Sequence, residues 1–217
     1  MTLVAHFAEL RNRLIYCFLF YIFFFGISYF FVGNFFTFLT EPLYDAIQDR
    51  ENKRLIYTGL TEVFLNYIKL SLIIALAFSL PFIIYQIWMF TAPGLLKKEK
   101  RIIFPFLFLV PLMFIIAFVF VYYLIIPIAW DFFVSFDSSF TSNDLKIELE
   151  AKVNEYLSLI LKLILAFGIA FQLPIIILLL TILGIISSET LSKYRKYVIV
   201  IIFMLAAILT PPDIFSQ

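Results

Sequence analysis

Of the 217 residues, 64% are apolar and 20% aromatic, only 14% are charged, and the formal net charge is +1. A soluble globule has roughly a quarter of its residues charged; with a mean hydropathy of +1.05 this chain cannot cover its surface in water, so it is an integral membrane protein. The near-neutral balance leaves no footprint for nucleic acid, and a lone Cys17 with a lone His6 supports neither a disulfide framework nor a zinc site.

Long apolar stretches predict spans at approximately 14–36, 63–90, 102–133, 155–184 and 197–210. A helix needs about 20 apolar residues to cross the hydrocarbon core. The first four satisfy this, whereas the fifth, at about 1.5 Å per residue, is short or requires local thinning of the bilayer. The first begins too late and runs too long for a secretory leader. Transmembrane strands are excluded because these runs are apolar on every side rather than alternating. The expected fold is therefore all-α, a polytopic helical membrane protein forming a single transmembrane domain over residues 1–217. Nine Lys and Arg fall on the side of the N-terminus (Arg11, Arg13, Lys97, Lys98, Lys100, Arg101, Lys193, Arg195 and Lys196) against five in the opposite loops, or seven with Lys69 and Lys162 near the helix ends, a modest bias by which the N-terminus is expected to be cytoplasmic. The two outer loops, Thr37 to Leu60 and Val134 to Lys152, are long enough for helical turns of their own.

In so apolar a chain the informative residues are the polar ones at membrane depth or its boundary, because each is costly in lipid unless partnered. In HFAELRNRL, apolar residues recur at three- and four-residue spacing while Glu9 and Arg13 lie four apart on the other side, which predicts an amphipathic turn on the inner surface before the first span. Glu9 either forms a plain surface pair with Arg13 or binds something else. Glu62, Asn66 and Lys69 share one face at the outer end of the second span, where Lys69 must pair or snorkel outward; Glu155 and Lys162 form a similar stripe. In TAPGLLKKEKR, Pro93 and Gly94 stop the second span, and Glu99 stands alone among four bases, either for charge balance or for a ligand. Gln172, two residues before Pro174, needs a hydrogen-bond partner across the bundle or faces a cavity or a partner's helix. Prolines 105, 111, 127 and 174 predict kinked helices. No phosphate loop, metal cluster or nucleophile with a base is present, so no enzyme, cofactor or metal is expected.

Five segments in order, HFAELRNRL, TEVFLNYIKL, LPFIIYQIWMFTAPGLLKKEKR, FGIAFQLP and LTPPDIFSQ, resemble TatC, the polytopic component of the twin-arginine protein translocase. The resemblance implies a cup of kinked transmembrane helices in the bacterial inner membrane, or an organelle membrane of bacterial origin. It further implies a subunit that binds twin-arginine signal peptides of folded cargo at the cytoplasmic face and assembles, as a homo-oligomer within a larger complex, with single-span TatA and TatB. Export would be driven by the proton-motive force. Carried over by position, Glu9 and Glu99 would bind the arginine pair, with Arg13 and Leu95 beside them. Gln172, Glu62, Lys69 and Asp213 would be polar intramembrane or partner contacts, and Pro42, Pro93, Gly94 and Pro174 structural. Family members usually carry a sixth span after TPPD, so the expectation here is five spans with the sixth missing; some also have an acid where Gln172 stands.

A ring of six helices, each about 10 Å across, encloses a bore of only about 10 Å, less than a folded 100-residue cargo with a radius of gyration of about 13 Å. The chain alone is therefore a receptor and scaffold rather than a conduit. The competing reading, a small ion-conducting or transporter-type subunit, requires facing ionisable residues at mid-bilayer, and the central thirds of the spans contain none.

Overall fold

A computed structural model of the chain describes residues 3–46, 55–139 and 152–209. Helices account for nearly all of them: α1 (Leu3–Phe30), α2 (Val32–Ala46), α3 (Glu62–Thr91), α4 (Lys97–Ile103), α5 (Phe106–Phe120), α6 (Ile126–Ser139), α7 (Val153–Ala170), α8 (Gln172–Ile182) and α9 (Ser188–Leu209). Four helical stretches among them are long and apolar enough to cross a membrane: His6–Phe30, Glu62–Gly94, Lys97–Phe133 and Val153–Ile182. The fifth expected span falls on α9, whose first ten residues are mostly polar.

Several expectations change in detail. The amphipathic stretch around Glu9 is not a separate surface turn but the first turns of α1, which runs unbroken because no Gly or Pro interrupts Leu3 to Tyr21. α1 lies antiparallel to α3, as successive contacts show: His6 stacks on Phe90 at 4.4 Å, Phe20 on Phe82 at 3.5 Å and Phe24 on Phe78 at 6.1 Å. The predicted third span opens with the short α4, turns at Phe104 and Pro105, and is widened by a π turn at Val121–Ile125. Pro127 explains the widening. Without an N–H it cannot bond the carbonyl of Tyr123, and the ladder shifts register, with Ile126 N–H reaching Val121 O. The fourth span is divided at Phe171 into α7 and α8, and Pro174 sits in the first turn of α8, where an absent donor costs least.

The core gathers where α2, the start of α3, α6 and the start of α7 meet, around Leu39, Leu43, Leu70, Ile126, Leu157 and Ile160. Trp130 stacks on Tyr156 at 5.0 Å inside it. Two tyrosines bind this core to the α2 backbone: Tyr122 Oη donates to Phe38 O at 2.9 Å and Tyr156 Oη to Leu39 O. Phe38 is four residues before Pro42, so its carbonyl has lost its helical donor, and Tyr122 supplies the replacement. α5 and α7 approach closely at Gly168, where an added Cβ would lie 2.5 Å from the Phe114 ring. Gly184 ends α8 with φ +73°, a left-handed cap that glycine adopts without strain.

The Pro42–Tyr122 compensation is testable by a double-mutant cycle. Tyr122→Phe should cost about 1 kcal/mol of stability, read as a lower thermal unfolding midpoint in detergent. In a Pro42→Ala background, where an amide donor returns to the Phe38 carbonyl, that loss should largely disappear; strictly additive losses would disprove the link.

Candidate functional site

Antiparallel packing of α1 on α3 brings both acids singled out by sequence to one end of the pair. Glu9 lies on the second turn of α1, beside the last turns of α3, and Glu99 lies on α4, joined to α3 by the short 3-10 turn Ala92–Gly94. Arg13 makes the first of two distinct arrangements. Its Nη2 and Nε both donate to Glu9 Oε1, at 2.6 and 3.0 Å, while Nη1 donates to Gln86 Oε1 on α3 at 3.2 Å. The paired side chains are 19% and 25% exposed, so this is no freely solvated surface pair. Gln86 thereby holds the guanidinium, and through it the carboxylate, against α3. Glu9 Oε2 has no partner among the described residues.

Glu99 is engaged differently. Its Oε2 accepts the Leu96 backbone N–H at 2.8 Å, closing the start of α4. No base pairs with it among the described residues, although Lys97, Lys98, Lys100 and Arg101 surround it in sequence. Leu95 is half-buried beneath this turn, and its N–H bonds Ala92 O at 3.3 Å. Pro93 occupies the start of the 3-10 turn, where its lack of a donor is harmless. A side chain at Gly94 would meet open space, so neither crowding nor backbone geometry demands glycine there.

At the opposite end, Glu62 anchors the loop rather than pairing with Lys69. Its Oε2 accepts the N–H groups of Thr58 and Gly59 at 2.9 and 3.1 Å, and Oε1 accepts that of Asn154 at 3.0 Å, tying α3 to the start of α7. Asn66 is buried and its Nδ2 has no partner among the described residues, while Lys69 is exposed. Glu155 and Lys162 share a face of α7, and Glu155 lies 3.7 Å from Lys152 at the start of that helix. Pro42 helps line a cavity of about 520 Å³ with Glu41, Asp45, Tyr122 and Asp131. In the bundle, Gln172 Nε2 donates to Val110 O at 3.2 Å, but Oε1 is buried without a donor among the described residues. Asp213 lies outside the described residues.

Sequence reasoning missed Gln86. Its signal was present, a lone amide close to the end of an otherwise apolar span, but nothing in the sequence indicates which partner it faces. The amide-binding role of Glu62 was also missed, since its donors are backbone groups and one lies in another helix.

These features define a polytopic helical membrane protein whose charged groups are held at the ends of its helices. The family model of the Sec-independent protein translocase protein TatC matches residues 5–217. The chain is similar to the TatC proteins of Rickettsia prowazekii (45% identical over 212 residues, 98% of this chain and 83% of that protein) and Escherichia coli K12 (35% over 215 residues, 99% and 80%). A crystal structure of the twin-arginine translocase receptor TatC superimposes with a TM-score of 0.80 at 35% identity, covering 98% of this chain and 90% of that one. A second, in the detergent DDM, gives 0.82 at the same identity. The chain belongs to the TatC family: it is a multi-pass subunit of a protein translocase and not an enzyme.

The anchoring role of Glu62 predicts that Glu62→Ala frees three amides together. Hydrogen exchange at Thr58, Gly59 and Asn154 should accelerate by about tenfold or more, the scale of losing charge-assisted bonds. Unchanged protection at Asn154 would refute the tie between α3 and α7.

Proposed function

We propose that the chain is the receptor for twin-arginine signal peptides of folded cargo in a bacterial inner membrane, reading the arginine pair through Glu9 and Glu99 on the cytoplasmic side. The observation that carries the reading is that Glu9 already grips a guanidinium, that of Arg13, through Oε1 alone and keeps Oε2 open. Glu99, on a separate element at the same end, holds only one backbone N–H. Two carboxylates on two elements suit two neighbouring arginines, because the guanidinium fork matches a carboxylate where an ammonium offers only a point charge. Arg13 keeps Glu9 oriented, and the turn through Pro93 to Leu95 joins α4 to α3. Further affinity comes from the signal's apolar segment lying against the bundle and lipid.

The bias of Lys and Arg supports a cytoplasmic N-terminus. The likeness to the twin-arginine translocase receptor supports the ligand. In this reading TatA and TatB are the single-span partners, the proton-motive force drives export, and homo-oligomers form within the larger complex. Gln172, half-buried, is the intramembrane contact for a partner's helix, its Oε1, unpartnered among the described residues, turning outward on docking, with Lys69 and Asp213 as further partner contacts.

The purified chain should retain a tagged twin-arginine signal peptide in a pulldown and release it when both arginines are replaced by lysine. Glu9→Gln combined with Glu99→Gln should weaken retention by at least about a hundredfold, given about 1.5 to 3 kcal/mol for each charge-assisted bond, while thermal unfolding stays near that of the parent chain. Undiminished retention by the double variant would overturn the assignment.

A further inference from the structure

The outward side of α1 carries a groove that neither acid uses. Phe7, Leu10, Arg11, Leu14, Ile15 and Phe18 line it at three- and four-residue spacing around a shallow, open volume of about 380 Å³. Phe7, Leu14 and Phe18 are each at least 60% exposed, so α3 does not cover this face. Arg11 is its one charged residue and has no ion pair among the described residues. The neighbouring acid, Glu9, is committed to Arg13 on the side that meets Gln86.

Depth makes the combination specific. From Arg11 to Phe30 the helix rises about 28 Å at ~1.5 Å per residue, close to the hydrocarbon thickness of about 30 Å. Placing Phe30 at one hydrocarbon boundary would put Arg11 at the other, within reach of lipid phosphates, with Leu14, Ile15 and Phe18 continuing into the hydrocarbon. A cation at the headgroup level above an open apolar channel complements a molecule with an anionic head and a hydrocarbon tail. The guanidinium fork binds phosphate oxygens in pairs, as it does carboxylates. We infer that this groove binds an anionic phospholipid of the leaflet that meets the N-terminal end of α1, with its phosphate on Arg11 and an acyl chain along Leu14, Ile15 and Phe18. The site is independent of Glu9 and Glu99 as signal-peptide ligands.

The test uses the full chain, purified and stripped of lipid, titrated with phosphatidylglycerol or phosphatidylcholine of identical acyl chains and read by native mass spectrometry. Phosphatidylglycerol should be retained about fivefold more than phosphatidylcholine, the ratio one basic contact at an anionic surface provides. Arg11→Gln should erase that preference, Arg11→Lys should restore part of it, and Arg101→Gln should leave it intact. Leu14→Trp, which fills the groove with Arg11 in place, should lower retention of both lipids. Equal retention of the two lipids by the parent chain, or an equal loss in Arg11→Gln and Arg101→Gln, would overturn the site. Phosphatidylglycerol displaced by an apolar peptide, with no effect of Arg11→Gln, would mark the groove as a protein-docking face and overturn it equally.

Discussion

A backbone carbonyl shut away from water, in lipid or in the packed core, must find a donor within the protein, and the prolines of this chain repeatedly remove one. In water a freed carbonyl turns to solvent at little cost; in hydrocarbon it costs several kcal/mol. Three different repairs occur. At Pro42 a side chain from another helix, Tyr122, bonds the freed carbonyl of Phe38. Just before Pro127 the helix widens into a π turn, in which Ile126 N–H bonds Val121 O. At Pro93 and Pro174 the proline sits in the first turn of a new helix, where its missing N–H takes no bond from that helix. The first repair also fixes tertiary structure. Tyr122 can serve Phe38 only if α2 lies against the α5–α6 region, so one missing N–H helps to dock a surface helix onto the core.

A framework built this way has rigid ends on which charged side chains can be placed. α1 and α3 are bound along their lengths by stacked aromatic rings, from His6 on Phe90 to Phe24 on Phe78. Glu9 is thus carried by a helix whose position is already fixed, and the Gln86–Arg13 contact settles the rotation of its carboxylate. Glu99 has a softer mounting. Its element is only seven residues long, and the carboxylate itself closes that helix by accepting the Leu96 N–H. A ligand that takes Glu99 must share or replace this bond, whereas one that takes Glu9 finds Oε2 open. The two acids therefore differ in stiffness and cost of engagement, although both are carboxylates at one end of the bundle.

Much of this was legible in the sequence because lipid imposes a simple code. Apolar runs long enough to span, and the placement of charges between them, indicate helices and their ends with no knowledge of packing. The Glu9–Arg13 spacing foretold a pair, and the Pro174 neighbourhood foretold a break and an interhelical bond from Gln172; the acceptor, Val110 O, was beyond reach because a backbone carbonyl has no sequence signature. For the same reason the sequence places Glu62 on one face with Asn66 and Lys69 but does not disclose the three main-chain N–H groups it binds. The continuity of α1 through the amphipathic turn was also missed. Amphipathicity gives which side is polar, but not whether the helix lies along the membrane or enters it.

The polar groups left inside the bundle explain why neutral amides occupy those places. Asn66 Nδ2 and Gln172 Oε1 are buried without partners among the described residues. An unpaired neutral group costs about 1 to 3 kcal/mol, a sum that a well-packed bundle can carry. An unpaired charge at the same depth costs far more and would force either a change of protonation or a distortion of the bilayer. Gln172 already spends its donor on Val110 O, which holds α8 against α5 and leaves one acceptor facing the interior. A side chain so arranged is stable alone yet gains when a donor arrives, and it does so without a proton or ion having to move.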